Sequence, residues 1–194
     1  MIILLIVVAY LLGSIPFGLL MGRLKGVNLR GQGSGNIGAA NAMRSLGFGC
    51  GFLVLVCDSL KSILALALAA HLLPTGAAPL DFVLIGLAAI LGHNFSIFLG
   101  LKGGKGVAAS LGVFLFLSWK ATVAAFAFWL IVVAITRFAS LGSLVAALLL
   151  PFSMFYFHAP ILYVEFSALA AILIFYKHRT NMARLLCGEE NRIL

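Results

Sequence analysis

The sequence predicts an all-α, polytopic membrane protein of seven transmembrane helices, and three observations predict it. Of its 194 residues, 63% are hydrophobic and only 9% charged, against about 45–50% apolar and about 25% charged in a soluble domain. Apolar runs of near-spanning length recur along the chain, whose mean hydropathy is +1.19; a helix needs about 20 such residues to cross the hydrocarbon core. Cationic residues follow alternate runs, and that asymmetry sets orientation.

The runs cover residues 2–22, 50–73, 80–99, 107–118, 121–136, 141–157 and 161–176. The last four are short, so they tilt little or borrow flanking residues. The first run lacks a cationic start and a small-residue cleavage signature, so it reads as a retained span and not a signal peptide. Its late Gly13-Ser14-Ile15-Pro16 predicts a kink, because proline removes a donor and neighbouring groups must satisfy the freed carbonyl. Residues 36–46 then carry a helical pattern, with Ser34 or Asn36 as cap and Gly47 and Gly49 as terminators. In the second run Asp58 and Lys61 lie three apart on one face and can pair. Such an intramembrane pair holds a helix in register as readily as it serves a reaction. The third run ends in Gly92-His93-Asn94-Phe95, where His93 can orient the loop that follows. The sixth opens with Ser140 and Ser143. Residues 1–194 therefore read as one membrane-embedded domain.

Arg23, Lys25, Arg30 and Arg44 follow the first run, and Lys102 and Lys105 the third. Arg137 follows the fifth, and Lys177, Arg179, Arg184 and Arg192 the seventh. The alternate loops carry only Lys120. Positive residues stay inside, so the N-terminus is expected outside and the C-terminus in the cytoplasm. The net charge of +8 is this topology signal; without basic–aromatic interleaving it implies no nucleic acid. Cys50, Cys57 and Cys187 form no CxxC pair and the four histidines show no ligand spacing, so neither a metal nor a cofactor is expected.

Three polar, glycine-rich patches interrupt the apolar chain, all at expected cytoplasmic ends. The first is Gly33-Ser34-Gly35-Asn36-Ile37-Gly38-Ala39-Ala40-Asn41, with Arg44 three residues on. Its glycines free N–H groups for an anion, and the Arg44 fork matches phosphate oxygens. The second is Lys102-Gly103-Gly104-Lys105-Gly106. It fails the P-loop pattern, which needs Gly at 99 and Ser or Thr at 106 where Leu99 and Gly106 stand, so ATP hydrolysis is not expected. The third places His178, Arg179 and Asn181 just past the last run. Ser143, one turn into the sixth helix, is a further phosphate ligand. No nucleophile elbow, His–Asp pair at acyltransferase spacing or magnesium-holding aspartate cluster occurs. What remains is a cationic, hydrogen-bonding pocket for phosphorylated substrates at the membrane surface.

In this order the motifs resemble those of the bacterial acyl-phosphate-dependent glycerol-3-phosphate acyltransferases. The likeness runs from Tyr10-Leu11-Leu12-Gly13-Ser14-Ile15-Pro16 through the first two patches and Arg137-Phe138-Ala139-Ser140-Leu141-Gly142-Ser143 to the tail ending Gly188-Glu189-Glu190. Ile37 and Ser96 stand where that family often has proline, and Ala40 and Ala109 where it often has threonine. The resemblance implies acyl transfer from acyl phosphate to the 1-hydroxyl of sn-glycerol 3-phosphate in the bacterial plasma membrane. It also implies that neither acyl-CoA nor acyl carrier protein is a donor. Ser34, Arg44, Lys105, His178 and Asn181 are the expected catalytic set. Gly33, Gly35, Asn36, Asn41, Lys102, Gly103, Gly104 and Ser143 are the expected phosphate ligands. Which loop takes which phosphate stays open. The alternative from another class is a small anion transporter or channel, against which the missing internal repeat counts.

Overall fold

A computed structural model describes residues 1–193, and among them every regular element is helical. The backbone groups into two compact units, one of residues 1–117 and one that begins at Ser118.

The first unit holds α1 (Ile2–Ser14), α2 (Phe17–Leu24), α3 (Ala39–Leu46), α4 (Phe48–Leu72), α5 (Pro79–Asn94) and α6 (Val107–Leu117), with short 3-10 turns at Leu29–Gly31 and Ile97–Leu99. The expected kink is a full break between α1 and α2 at Ile15–Pro16, and α2 continues the span to Leu24. The Ile15 carbonyl accepts a hydrogen bond from Lys61 Nζ at 2.7 Å. That is how a proline break is tolerated in lipid, where water cannot satisfy the backbone.

Glycine sets the close approach of α1 and α5. A Cβ on Gly13 would run into the Ala89 carbonyl, and one on Gly92 into the Tyr10 carbonyl. Hydroxyls tie the same seam: Tyr10 donates to Phe95 O at 2.7 Å and Ser96 to Ser14 O at 2.6 Å. Gly112 does for α6 and α4 what Gly13 does for α1 and α5, lying against the Ser59 backbone. Small residues thus carry the helix contacts, while Ile3, Leu4, Phe52 and Leu64 are exposed. A bilayer protein shows this inversion because lipid tails are as apolar as leucine and only close packing distinguishes a neighbour from lipid.

The second unit holds α7 (Trp119–Thr136), α8 (Ala139–Tyr156), α9 (Ile161–Lys177) and α10 (Arg179–Leu186). Gly142 lets α8 close on Val133 and Trp129 of α7. The chain bends by 60° between α9 and α10. Arg137 takes the left-handed conformation at φ 62°, and its carbonyl accepts the Ile193 amide at 2.8 Å, strapping the tail to the start of α8.

Among the described residues five helical segments are long and apolar enough to cross a membrane, and six if the bent α9–α10 pair counts as one. The segment predicted as the fourth span is α6, an apolar helix of only 11 residues. The short helix expected over 36–46 starts at Ala39 instead, with Gly38 as cap and no side-chain cap. Asn36 shapes the turn before the helix, where its Oδ1 accepts the Gly38 amide at 2.9 Å. Gly47, at φ 90°, ends it as expected.

Candidate active site

In the first unit the glycine-rich turn at 33–38 is organised by Asn41. This asparagine is buried on α3, and its Nδ2 lies 3.1, 3.0 and 2.8 Å from the carbonyls of Leu29, Gln32 and Asn36. Its Oδ1 accepts the Ser34 amide at 3.0 Å. A primary amide has two donor protons and one acceptor oxygen, so Asn41 is fully committed to the loop. Asn41, expected among the phosphate ligands, acts in this structure as a clamp on the turn. The amides of Ser34 and Gly35 are likewise engaged within the turn, with Asn41 Oδ1 and with Gln32 O at 2.9 Å. The glycines therefore serve geometry first. Gly33 and Gly35 have φ of 52° and 68°, and a Cβ on Gly33 would meet Asn41 Oδ1 at 2.5 Å.

What this clamp presents is a pair. Arg44, one turn beyond Asn41, donates from a terminal guanidinium nitrogen to Ser34 Oγ at 3.2 Å. The bond sets a cation and a hydroxyl side by side, a combination suited to phosphate. Arg30, which the sequence reading used only for topology, donates to the Lys102 carbonyl at 2.9 Å and ties the first patch to the second. A long-range tie of this kind has no signal in local spacing.

The second patch rests on the end of α5. Gly104 donates its amide to His93 O at 2.9 Å and Gly103 to Asn94 O at 3.3 Å, satisfying carbonyls that a helix end leaves open. Gly103 and Gly104, expected among the phosphate ligands, thus have their amides turned to the end of α5. Their hydrogen atoms are a C-terminal cap for α5, and their missing side chains allow the contact. A Cβ on Gly103 would strike His93 O, and one on Gly104 the His93 ring. Lys102 is exposed and Lys105 half-buried, so the cationic character of the patch is carried by side chains.

In the second unit, Glu190 is the hub. Its Oε1 accepts from Ser140 Oγ at 2.9 Å and from Asn181 Nδ2 at 2.6 Å, while Oε2 accepts from Arg184 Nε at 2.9 Å. Burial alone would raise the Glu190 carboxyl, but the bonds from Asn181, Arg184 and Ser140 and the Arg184 charge outweigh it and hold it below the ordinary glutamate range. The structure thus pairs Glu190 with an arginine of the tail. Asn181, expected at the chemistry, reaches Glu190 with one amide proton. Ser143 donates to Ala139 O at 2.7 Å and accepts from Trp129 Nε1 at 3.2 Å, so its proton is committed to its own helix. His178 is buried at the α9–α10 bend with Nδ1 2.8 Å from Ile174 O. A carbonyl only accepts, so Nδ1 carries the proton and Nε2 is the acceptor of the neutral ring. Among the described residues no group of three or more His, Cys, Asp or Glu could hold a metal ion.

The class these features define is an all-helical integral membrane protein with cationic, hydroxyl and amide groups set on rigid glycine turns. The chain belongs to the glycerol-3-phosphate acyltransferase family, whose sequence profile matches residues 3–188. It is 45% identical over 194 residues to a glycerol-3-phosphate acyltransferase of Prochlorococcus marinus, covering 98% of this chain and 97% of that one. It is 49% identical over 186 residues to one of Jannaschia sp., covering 95% and 89%. The fold is similar to the crystal structure of PlsY (YgiH), an integral membrane glycerol 3-phosphate acyltransferase, in its glycerol 3-phosphate form. There the TM-score is 0.92 at 39% identity over 98% of this chain and 94% of that one. The lysophosphatidic acid form gives a TM-score of 0.90 at 38% identity over the same shares. The chain is accordingly an acyltransferase, and the transporter alternative falls away.

Proposed function

We propose that this chain transfers a fatty acyl group from acyl phosphate to the 1-hydroxyl of sn-glycerol 3-phosphate. The products are lysophosphatidate and inorganic phosphate, the reaction that opens phospholipid synthesis. Its place is the bacterial plasma membrane, crossed seven times, with the N-terminus outside and the C-terminus and active site at the cytoplasmic face. Neither acyl-CoA nor acyl carrier protein is a donor, and no cofactor takes part. The observation that carries the reading is the Ser34–Arg44 pair on its Asn41 clamp, a preorganised cation and hydroxyl for a phosphate monoester. Relatives described in glycerol 3-phosphate and lysophosphatidic acid forms support it.

The substrate hydroxyl oxygen bonds to the acyl carbonyl carbon, and the carbon–oxygen bond to phosphate breaks with its electron pair on phosphate. Cationic groups at Arg44, Lys105 and Lys102 stabilise the phosphates. Asn36 and Asn181 add neutral hydrogen bonds, and Ser143 joins them once its hydroxyl turns away from the Ala139 carbonyl. The hydroxyl proton passes to a substrate phosphate, whose second pKa of about 6 makes the dianion an adequate base near neutrality. His178 accordingly binds phosphate and does not remove the proton; with Nδ1 held by Ile174 O, its Nε2 donates only when the ring is protonated.

One assay tests the function: purified protein in lipid is given glycerol 3-phosphate with acyl phosphate or with acyl-CoA. Lysophosphatidate and stoichiometric phosphate from acyl phosphate alone are expected. Product from acyl-CoA would overturn the donor assignment. The proton path is tested by folded His178→Gln at saturating substrate, where a kcat loss of several orders rescued by small exogenous bases would make that histidine the base.

A further inference from the structure

A buried ionic cluster in the first unit has no part in the acyl transfer described above. Asp58 and Lys61 on α4 and His93 on α5 are 2%, 4% and 6% exposed. Lys61 Nζ lies 2.7 Å from Asp58 Oδ1, 2.7 Å from Ile15 O and 3.2 Å from His93 Nδ1. An ammonium group has three protons and no lone pair, so the three acceptors account for it completely. His93 Nδ1 is therefore an acceptor, and the ring proton sits on Nε2. Asp58 Oδ1, 3.7 Å from Nδ1, is too far to compete for that position.

The Nε2 edge of this ring lies against the second glycine-rich patch. A Cβ on Gly104 would meet Nε2, Cε1 and Cδ2 of His93 as its nearest neighbours. The same residue's carbonyl accepts the Gly104 amide at 2.9 Å. Side chain and backbone of His93 thus fix one glycine from two directions. Asn94 continues the platform, with its carbonyl on the Gly103 amide and its side chain 2.7 Å from where a Cβ on Gly106 would stand. We propose that Asp58, Lys61 and His93 form a positioning relay: the ion pair fixes the tautomer and plane of the His93 ring, and the ring sets the position of the Lys102–Gly106 loop. The relay governs the KM of the phosphorylated substrate held at Lys105 and leaves kcat unchanged. It rests on the reading that this loop takes a substrate phosphate.

A double-mutant cycle separates this from a structural ion pair that merely joins α1, α4 and α5. In the otherwise native chain, Gly104→Ala collides with the ring and raises one substrate KM by about tenfold, within the coupling range of residues in contact. In a His93→Ala background the collision is gone and the same substitution has little further effect. Equal effects in both backgrounds would overturn the proposal. His93→Asn keeps an acceptor near Lys61 but removes the Nε2 edge, so it folds and raises KM with kcat held; a kcat loss at unchanged KM counts against the relay. A second readout needs no turnover. Amide exchange at Gly103 and Gly104 is expected to quicken in Lys61→Met and His93→Asn, and unchanged exchange in both would also overturn it. Absence of acyl transfer by the native protein would instead sink the functional reading and leave the exchange measurement to decide the relay.

Discussion

Arginine 44 shows how a side chain gains function from what holds it. Its guanidinium is delivered by one turn of α3 and fixed by Ser34 Oγ at 3.2 Å, which is itself placed by the Asn41 clamp. Arg44→Ala and Lys105→Ala are each expected to raise the KM for glycerol 3-phosphate or abolish turnover in protein that remains folded. Native kinetics in both folded variants would defeat the phosphate assignment. Arg44→Lys is expected to restore little, since an ammonium cannot reproduce the planar fork. Asn41 acts one step back. Asn41→Asp keeps the acceptor for Ser34 but loses the donors to three carbonyls, and a buried unsatisfied polar group costs about 1–3 kcal/mol. Thermal unfolding in detergent should show that loss alongside reduced activity. Asn41→Asp with native stability would mean that the carbonyls find other donors and the clamp is not needed.

Helices α8 and α10 show the same logic one level up. Each ends in polar groups that need partners, and the tail supplies them through Glu190 to Ser140, Asn181 and Arg184 and through Ile193 N to Arg137 O. Glu190→Gln retains an acceptor but loses the charge that Arg184 faces, so stability and yield should fall before the KM of the folded protein changes. The pH dependence has a fixed sign. A carboxyl whose folded pKa is lowered stabilises fully above its unfolded value, about 4.3 for glutamate, and that contribution is lost as pH falls through the lower folded value. The melting-temperature gap between native protein and Glu190→Gln should therefore be widest near neutrality and close in acid. A gap that widens on acidification would show that the carboxylate is not the stabilising form.

For the whole molecule, the expected orientation follows from charge alone. The cationic residues sit after alternate apolar segments, and a reporter fused after the C-terminus should be cytoplasmic while one fused before Met1 should be outside. Both on one side would mean an even number of crossings, and α6, at 11 residues, is the segment whose loss would cause it.

Composition and patterning by themselves determined the membrane class, the helical fold and the family, because hydropathy and ordered motifs are local properties. The Asp58–Lys61 pair was legible from a three-residue spacing, and it closes at 2.7 Å. Residue types also marked polar turns at helix ends, at Ser34 before α3, at the 102–106 glycines after α5 and at His178–Asn181 after α9. What each residue does there depended on contacts far apart in sequence. Gly103 and Gly104 are phosphate-loop glycines by composition, yet their amides cap α5, because the end of that helix lies beneath them. Asn41 reads as a polar residue of the turn, and only the fold sets three carbonyls around its nitrogen. Arg30 reads as a topology charge until the Lys102 carbonyl comes within 2.9 Å. A sequence specifies which donors and acceptors a chain carries. Only the packed backbone decides which of them it must use to satisfy itself, since in lipid no water is there to do so.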